Sequence, residues 1–315
     1  MAKKGALIFI FDSNYLLPFK VLMHSMRRQL NKTKNIDIVI LTDDSAVAND
    51  QFVKNFVDRV IKVSEEQTAF IKSIDASGIS SAHRHPVYGA YWFLKFFIFD
   101  DYGYEYHIYM DVDMLCISDS FTLHDLHFGK RFAVAPTVGP AALSIKPKTR
   151  GEYLDEIGRA EVLNSIKKIA NRDYSVSRSF NSGVMYIPRA MIGRSTVEGL
   201  VREAAGNAFR LEQDTIRQYA EIRSQIPFKS LPIWFNFPEL PALAVGSVNY
   251  ETHLKKHINI IHFNLHPKPW DAGRGSTWVH SIWWRHHDLA TRWIKKISKK
   301  SWLSRFSEWI NKKAN

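Results

Sequence analysis

The chain holds a single cysteine, Cys116, in 315 residues. One thiol cannot form an internal disulfide, which argues against the stapled scaffolds of small secreted domains. No apolar run approaches the roughly 20 residues that a membrane span needs. The opening Met1-Ala2-Lys3-Lys4, followed by Ala6 to Phe11, imitates a signal peptide. Its apolar core is only six residues long, ends at Asp12-Ser13-Asn14 and lacks a small-residue cleavage site. It reads better as a first core strand, and the expected location is the cytoplasm. Also missing is a Gly-x-Gly-x-x-Gly after that strand; Asp12-Ser13-Asn14-Tyr15 stands there instead. A dinucleotide cradle of backbone amides is thereby disfavoured, and a diphosphate would need its charge met by metal and lysine. Neither an internal repeat nor a low-complexity linker is visible.

Acidic residues are in deficit, 31 against 43 Lys and Arg, for a net charge of +12. The excess is uneven. From Arg285 onward nine Lys or Arg face only Asp288 and Glu308, and seven of the nine tryptophans lie at or beyond Trp270. The body is close to charge balance and the tail is not. Hydrophobic content of 45% and charged content of 23% are those of an ordinary globular protein. The length suits one large domain or two small ones.

Residues 6–11 (ALIFIF), 36–41 (IDIVIL) and 106–110 (YHIYM) are short apolar runs ended by Asp or Asn. Between the first two, Leu17, Val21, Leu22, Met26 and Leu30 recur at helical spacing. Phe52, Val53, Phe56, Val57 and Val60 repeat the pattern, and a third helix is predicted over Tyr88 to Phe99. Residues 140–178 form an excursion with a helix around Tyr153 to Ile169. Strand character returns at 180–187, helices are predicted from Ser195 and over Leu211 to Ala220, and 258–263 reads as a late buried strand. Strands alternating with helices imply an α/β class: a Rossmann-like, mostly parallel twisted sheet flanked by helices.

The chemistry centres on Asp111 and Asp113, which follow the 106–110 strand with Val112 between them. In a strand, residues two apart point the same way, and two carboxylates aimed at one point repel unless a cation sits between them. A hard divalent ion such as Mg²⁺ or Mn²⁺ prefers such ligands and leaves positions open for phosphates. Open α/β folds bind their ligands at this edge. Other candidates each have a plain alternative. Asp12 and Asn14 read as a helix cap or as a loop that holds a base or ribose. His262 ends a buried strand and suits Mn²⁺ beside two carboxylates, although most histidines are not ligands. Lys268, held between Pro267 and Pro269, has the stiffness of a charge aimed at a phosphate. Asn181-Ser182-Gly183 is either a turn or an amide that grips sugar hydroxyls beside a glycine permitting close approach. Glu212-Gln213-Asp214 could simply be a solvated first helical turn.

Together the pieces FDSNYLLP, VILTDD, YMDVD, FNSGVM, EQD and HFNLHPKPW occur in the order seen in glycosyltransferase family 8. They cover residues 6 to 270, about five-sixths of the chain. The chain therefore resembles that family, the group containing glycogenin and bacterial lipopolysaccharide glucosyl- and galactosyltransferases. The resemblance implies a GT-A fold, a UDP-sugar donor, a Mn²⁺ (or Mg²⁺) ion and retention of anomeric configuration. It implies that Asp111, Asp113 and His262 hold the metal, that Lys268 meets the diphosphate, and that Asp12, Asn14 and Tyr15 contact uridine. Val112, within the Asp-x-Asp stretch, and Lys95, sixteen residues before Asp111, fall on the donor side. Asn181 and Ser182 match the donor-sugar turn, while Glu212 and Gln213 match a pair beside the reacting carbon. Glu212, Gln213 and Lys268 are the catalytic candidates. Glu212 stands where the family has Asp, and Leu265 where it commonly has glycine. No tyrosine matches the one that glycogenin glucosylates on itself, so that activity is not implied.

The expectation is a UDP-sugar-dependent retaining hexosyltransferase acting on a lipid-linked, lipopolysaccharide- or capsule-type glycan. A catalytic domain spans 1–270, and a basic, Trp-rich helical tail spans 271–315. Ala290, Trp293, Ile294 and Ile297 share one helical face, and Trp302, Phe306, Trp309 and Ile310 another, with Lys295, Lys296, Lys299, Lys300, Lys312 and Lys313 beside them. This composition suits a helix lying on an anionic membrane surface, so a peripheral position on the inner face of the cytoplasmic membrane is expected; the alternative is that these tryptophans cover the catalytic domain. Two rival classes remain: an aspartate-nucleophile phosphatase, which Leu115 and the late position of the strand disfavour, and a basic nucleic-acid- or membrane-binding protein without catalysis. Specific nucleic-acid binding is not expected.

Overall fold

Two apolar surfaces of one sheet, each covered by aromatic side chains, organise the chain. The computed structural model describes residues 5–32, 35–72, 93–137, 156–170, 180–206, 212–223 and 225–298. Its main sheet has seven strands: β1 (Gly5–Ile10), β2 (Ile36–Thr42), β3 (Arg59–Lys62), β4 (Tyr106–Met110), β6 (Phe132–Pro136), β7 (Phe180–Pro188) and β8 (Phe228–Ser230). Their order is β3-β2-β1-β4-β7-β6-β8. The first four are parallel, β7 runs antiparallel to β4 and β6, and β8 is parallel to β6. A second sheet of β5 (Met114–Cys116), β9 (Phe237–Pro238) and β10 (Ile260–His262) has the order β5-β10-β9.

A strand buried on both faces reads as a continuous apolar run, and β1 does so for that reason. Ala6 and Ile8 face a cluster with Phe93, Phe96, Phe97 and Phe99, which line a 3₁₀ helix over Phe93–Phe99. Leu7 and Phe9 face Phe19, Leu22, Met23 and Met26 of α1 (Leu16–Lys32). The helix predicted through Val60 stops sooner: α2 covers Gln51–Phe56, and Val60 lies in β3 opposite Ile40. Asp58 explains the break. Its carboxylate accepts from Ile38 N at 2.8 Å and its own N–H donates to Ile38 O at 2.9 Å, so the chain is pinned to β2. Of the helix predicted over 88–99, residues 88–92 lie outside the described part, and the remainder is the 3₁₀ helix.

A third cluster joins the small sheet to α3 (Glu156–Ala170), which contributes Val162, Leu163, Ile166 and Ile169. Helix α4 (Arg194–Gly206) instead packs Val197, Leu200 and Val201 on the main sheet. Helix α5 (Glu212–Gln218) is shorter than predicted and passes into a wider turn over Tyr219–Arg223. The strand predicted at 258–263 belongs, as β10, to the small sheet rather than the main one. Over it lie α6 (Glu239–Asn249) and α7 (Trp278–Ser298). Helix α7 inserts Val279, Trp283 and Ala290 into the third cluster, with Trp283 fully buried. Trp293 packs against His24, Phe52 and Phe56, and the buried His280 lies 2.7 Å from the buried Glu239 of α6. Up to Ser298, therefore, the tryptophan-rich segment covers the body of the protein, which is the alternative reading of its tryptophans. Residues 299–315 lie outside the described part. Among the described residues no helix is long and apolar enough to cross a membrane.

Burial pushes the imidazoles of His24, His107 and His286 down from 6.5 to about 4, with Arg27 adding to the effect at His24 and His286. They are neutral in the fold, whereas the unfolded chain takes up protons at the ordinary value. Their contribution is thus complete above about pH 6.5 and lost as the pH falls towards 4. The urea midpoint at about pH 5 should lie below that at pH 7, and His107→Phe should flatten part of that fall even though it lowers stability at neutral pH. A midpoint constant over this range would contradict the neutral, buried state of these rings.

Candidate active site

Strand β4 stops at Met110, and Asp111-Val112-Asp113 forms the bend into β5. The two carboxylates thus converge through a bend, not through strand alternation. Backbone bonds fix the bend on both sides: Asp111 N donates to Gly183 O at 2.8 Å, and Phe263 N donates to Asp113 O at 2.8 Å. The hydroxyl of Tyr109, the penultimate residue of β4, donates to Asp111 Oδ1. Antiparallel pairing sets His262 opposite Met114, which brings His262 Nε2 to 3.2 Å from Asp113 Oδ1 and 3.7 Å from Asp111 Oδ2. Ligand atoms of Asp111, Asp113 and His262 all lie within 4.8 Å of one another.

Two lysines flank this group. Lys95, from the 3₁₀ helix, places Nζ 3.0 Å from Asp111 Oδ1, 3.2 Å from Glu212 Oε1 and 3.1 Å from Ser182 Oγ. Lys268 Nζ lies 2.7 Å from Asp113 Oδ2 and 2.6 Å from Phe263 O, and the residue is 4% exposed. Burial acts to discharge Lys95, but the Asp111 and Glu212 carboxylates outweigh it and hold its ammonium well above the ordinary range. Burial likewise opposes ionisation of Asp113, yet Lys268 and His262 hold its carboxyl well below the usual carboxylate range. Three carboxylates against two ammonium groups leave one negative charge. Carboxylate oxygens with one imidazole are a donor set that fits Mn²⁺, and Mg²⁺ less closely because of the nitrogen.

The remaining predicted residues surround this centre unequally. Tyr15 is half-buried with its ring against Trp270, 5.7 Å between centroids. Its hydroxyl is raised far above its usual value by burial and then by Asp113 and Asp111, which shows how near the β1 loop comes to the pair. Asp12 does cap the short helix Ser13–Tyr15, accepting from Asn14 N at 3.0 Å, and Asn14 is exposed. The Val112 side chain is buried in the core, so only its backbone remains to meet a ligand. Ser182 donates to Glu212 Oε1 at 2.8 Å, which joins the 181–183 turn to the start of α5. Gln213 follows there, half-buried.

Gly183 does provide a close approach, and its neighbour is the His262 ring. A Cβ at this position would come 2.6 Å from His262 Cε1, 2.6 Å from Met114 Cε and 2.8 Å from Asn181 Oδ1. Sequence reasoning missed two residues, Tyr109 and Asn236. Asn236 is 1% exposed; its amide lies 2.9 Å from His262 Nδ1 and 2.8 Å from Asn181 Oδ1. The available signal was an amide flanked by Phe235 and Phe237, since a polar group in so apolar a setting needs buried partners.

Residues 6–198 match the family model described as glycosyl transferase family 8. No curated protein matches the chain. Among solved structures, the glycosyltransferase GlyE of Streptococcus pneumoniae TIGR4 is similar with a TM-score of 0.55 and 17% identity, over 98% of this chain and 64% of that one. The galactosyltransferase LgtC, solved with donor and acceptor sugar analogues, gives 0.57 and 18% over 90% and 95%. The bifunctional WbbM gives 0.54 and 16% over 91% and 50%. This chain therefore spans under two thirds of GlyE and half of WbbM. At such identities the likeness establishes the fold, which is the GT-A fold of these transferases.

Gly183→Ala should cost about 1–3 kcal/mol of stability, the usual range for overpacking, because the methyl meets His262 and Met114 at once. Urea denaturation checks this, and an unchanged midpoint would mean that His262 is not held where the geometry has it.

Proposed function

Because the chain belongs to glycosyl transferase family 8, we propose that it is a metal-dependent, retaining transferase that moves a hexose from a UDP-sugar to a glycan acceptor. The observation that carries this reading is the convergence of Asp111, Asp113 and His262 between the ammonium groups of the half-buried Lys95 and the buried Lys268. The three would hold Mn²⁺ or Mg²⁺, which when bound neutralises charge on a diphosphate. Lys268 adds a fixed positive charge where the leaving diphosphate gains negative charge. Asp12, Asn14 and Tyr15, with the backbone at Val112, face the nucleoside. Asn181, Ser182, Glu212 and Gln213 face the sugar.

In the transfer, the bond from the anomeric carbon to the diphosphate oxygen breaks, and a bond from that carbon to an acceptor oxygen forms. Retention requires either a covalent intermediate on a carboxylate or attack from the face that the leaving group vacates. Glu212 Oε1 is engaged by both Lys95 and Ser182, which weakens it as a nucleophile, and the Gln213 amide is a poor one. Front-face attack fits better, with the departing UDP accepting the acceptor's proton.

The acceptor is a lipid-linked or lipopolysaccharide-type saccharide, reached from the inner face of the cytoplasmic membrane. Support comes from composition: Trp302, Phe306, Trp309 and Ile310 stand among Lys299, Lys300, Lys312 and Lys313, and each lysine near an anionic surface adds about 1 kcal/mol.

With Mn²⁺ and a panel of UDP-sugars, the pure protein should release UDP slowly from one of them. Asp113→Asn should nearly abolish that release. It should also cost about 2 kcal/mol of stability, since the buried Lys268 loses a charged partner. Release by the variant within a few-fold of the parent at limiting Mn²⁺ would remove Asp113 from the metal site.

Removal of residues 299–315 should abolish flotation with anionic liposomes while UDP release survives. A truncated chain that still floats, or a full chain that ignores liposomes at low salt, would defeat the membrane reading.

A further inference from the structure

We propose that Asn236 is a positioning residue: it fixes the tautomer of His262 and thereby presents Nε2 as the metal-binding atom. The inference rests on the metal reading above, but its argument begins from a donor whose identity is not open to assignment. Gly183 N–H can only donate, and it points at a side-chain atom of Asn181 from 2.9 Å. That atom must therefore be the amide oxygen, Oδ1. The same oxygen faces the Asn236 amide at 2.8 Å, so the facing atom of Asn236 must be the donor Nδ2. Its other atom, Oδ1, is then the one 2.9 Å from His262 Nδ1. An oxygen there can only accept, and so Nδ1 carries the hydrogen.

The alternative orientation fails at Asn181. Turning the Asn236 amide over would set two oxygens 2.8 Å apart, although its N–H could then meet an unprotonated ring nitrogen. Turning Asn181 as well would set its NH₂ against Gly183 N–H. Asn236 is 1% exposed and His262 4%, with Asn181 half-buried beside them, so water is poorly placed to repair a mismatch at the Asn236 amide. With Nδ1 committed, the neutral ring holds its lone pair on Nε2. That atom is the one directed at Asp113 Oδ1 and Asp111 Oδ2, at 3.2 and 3.7 Å.

Two positions far apart in sequence are joined by this relay. Asn181, on the sugar side, and His262, on the metal side, share one buried amide. Gly183, whose lack of a side chain lets the His262 ring and Asn181 Oδ1 approach, is also the donor that starts the relay. Outer partners of this kind commonly change metal affinity 10- to 100-fold when removed.

The test uses the full chain in two measurements. In the first, metal-free protein in alkaline buffer is studied by long-range ¹⁵N–¹H correlation of its imidazoles, with His262 assigned by comparison with His262→Gln. The expected signature is a hydrogen on Nδ1 and an unprotonated Nε2; the opposite tautomer would overturn the proposal. In the second, Mn²⁺ is titrated and the free ion read by electron paramagnetic resonance. Asn236→Leu should weaken binding about tenfold or more. Asn236→Asp, which still accepts from Nδ1–H but sets an oxygen against Asn181 Oδ1, should recover only part of that loss. Equal affinity in the parent and Asn236→Leu would overturn the relay. A parent chain that leaves Mn²⁺ free would instead overturn the metal reading, and the tautomer measurement would still decide the assignment of Nδ1.

Discussion

Three carboxylates gathered in a shielded hollow would repel one another by more than local packing could offset, so their compensation governs the rest of the structure. Asp111, Asp113 and Glu212 meet two ammonium groups that arrive from well-separated parts of the chain. Lys95 rides on a 3₁₀ helix whose Phe93, Phe96, Phe97 and Phe99 are buried beneath the sheet. Lys268 opens the short helix Pro269–Ala272 and is held by Phe263 O as well as by Asp113. Each cation is positioned by apolar packing that is independent of the charges. The ion pairs thus need not assemble the fold; they make its assembled form tolerable.

The small sheet is the device that completes the centre. Had β10 joined the main sheet, His262 would lie in a row of strand ends, remote from the bend after β4. Pairing β10 against β5 instead sets His262 beside Met114, and pairing it with β9 brings Asn236 up behind the imidazole. The same three strands supply Leu115, Phe237 and Ile261 to a core shared with α3, α6 and α7. Packing at Trp283 and orientation at His262 are consequently carried by one unit.

What could be read in advance follows from how local each signal is. Strands β1, β2 and β4 are buried on both faces, and a run such as ALIFIF shows that directly. Val60 misled because its helical spacing was real, whereas the competing signal was one carboxylate, Asp58, reaching Ile38. Asp111, Asp113, His262 and Lys268 could be singled out because their residue types are costly to bury without a purpose. Asn236 offered only its apolar neighbours as a signal, since its role depends on Asn181 and His262, 55 and 26 residues away. The tryptophans of α7 were open to two readings for a related reason. An amphipathic helix covering a domain and one lying on a membrane have the same pattern, and only the partner surface, here Phe52, Phe56 and His24, tells them apart.

The division of the site along the chain bears on how far a family match can carry an argument about function. The segment 6–198 matched to the family holds Asp12, Tyr15, Lys95, Asp111, Asp113, Asn181 and Ser182. Beyond it lie Glu212, Gln213, Asn236, His262 and Lys268. Alone, the matched part would bring Lys95 to Asp111 but leave Asp113 without either of its partners. The later part would have an imidazole and an ammonium without the two aspartates they face. Asp113 contacts both His262 and Lys268 from a bend held by Gly183 O on one side and Phe263 N on the other. Glu212 with Lys95 and Ser182, and Asn236 with Asn181, join the halves as well. The acidic bend and the cluster of Asn181, Ser182 and Glu212 therefore meet only when β7 and β10 flank that bend together, which makes the whole described body, and not its matched portion, the unit that assembles the site.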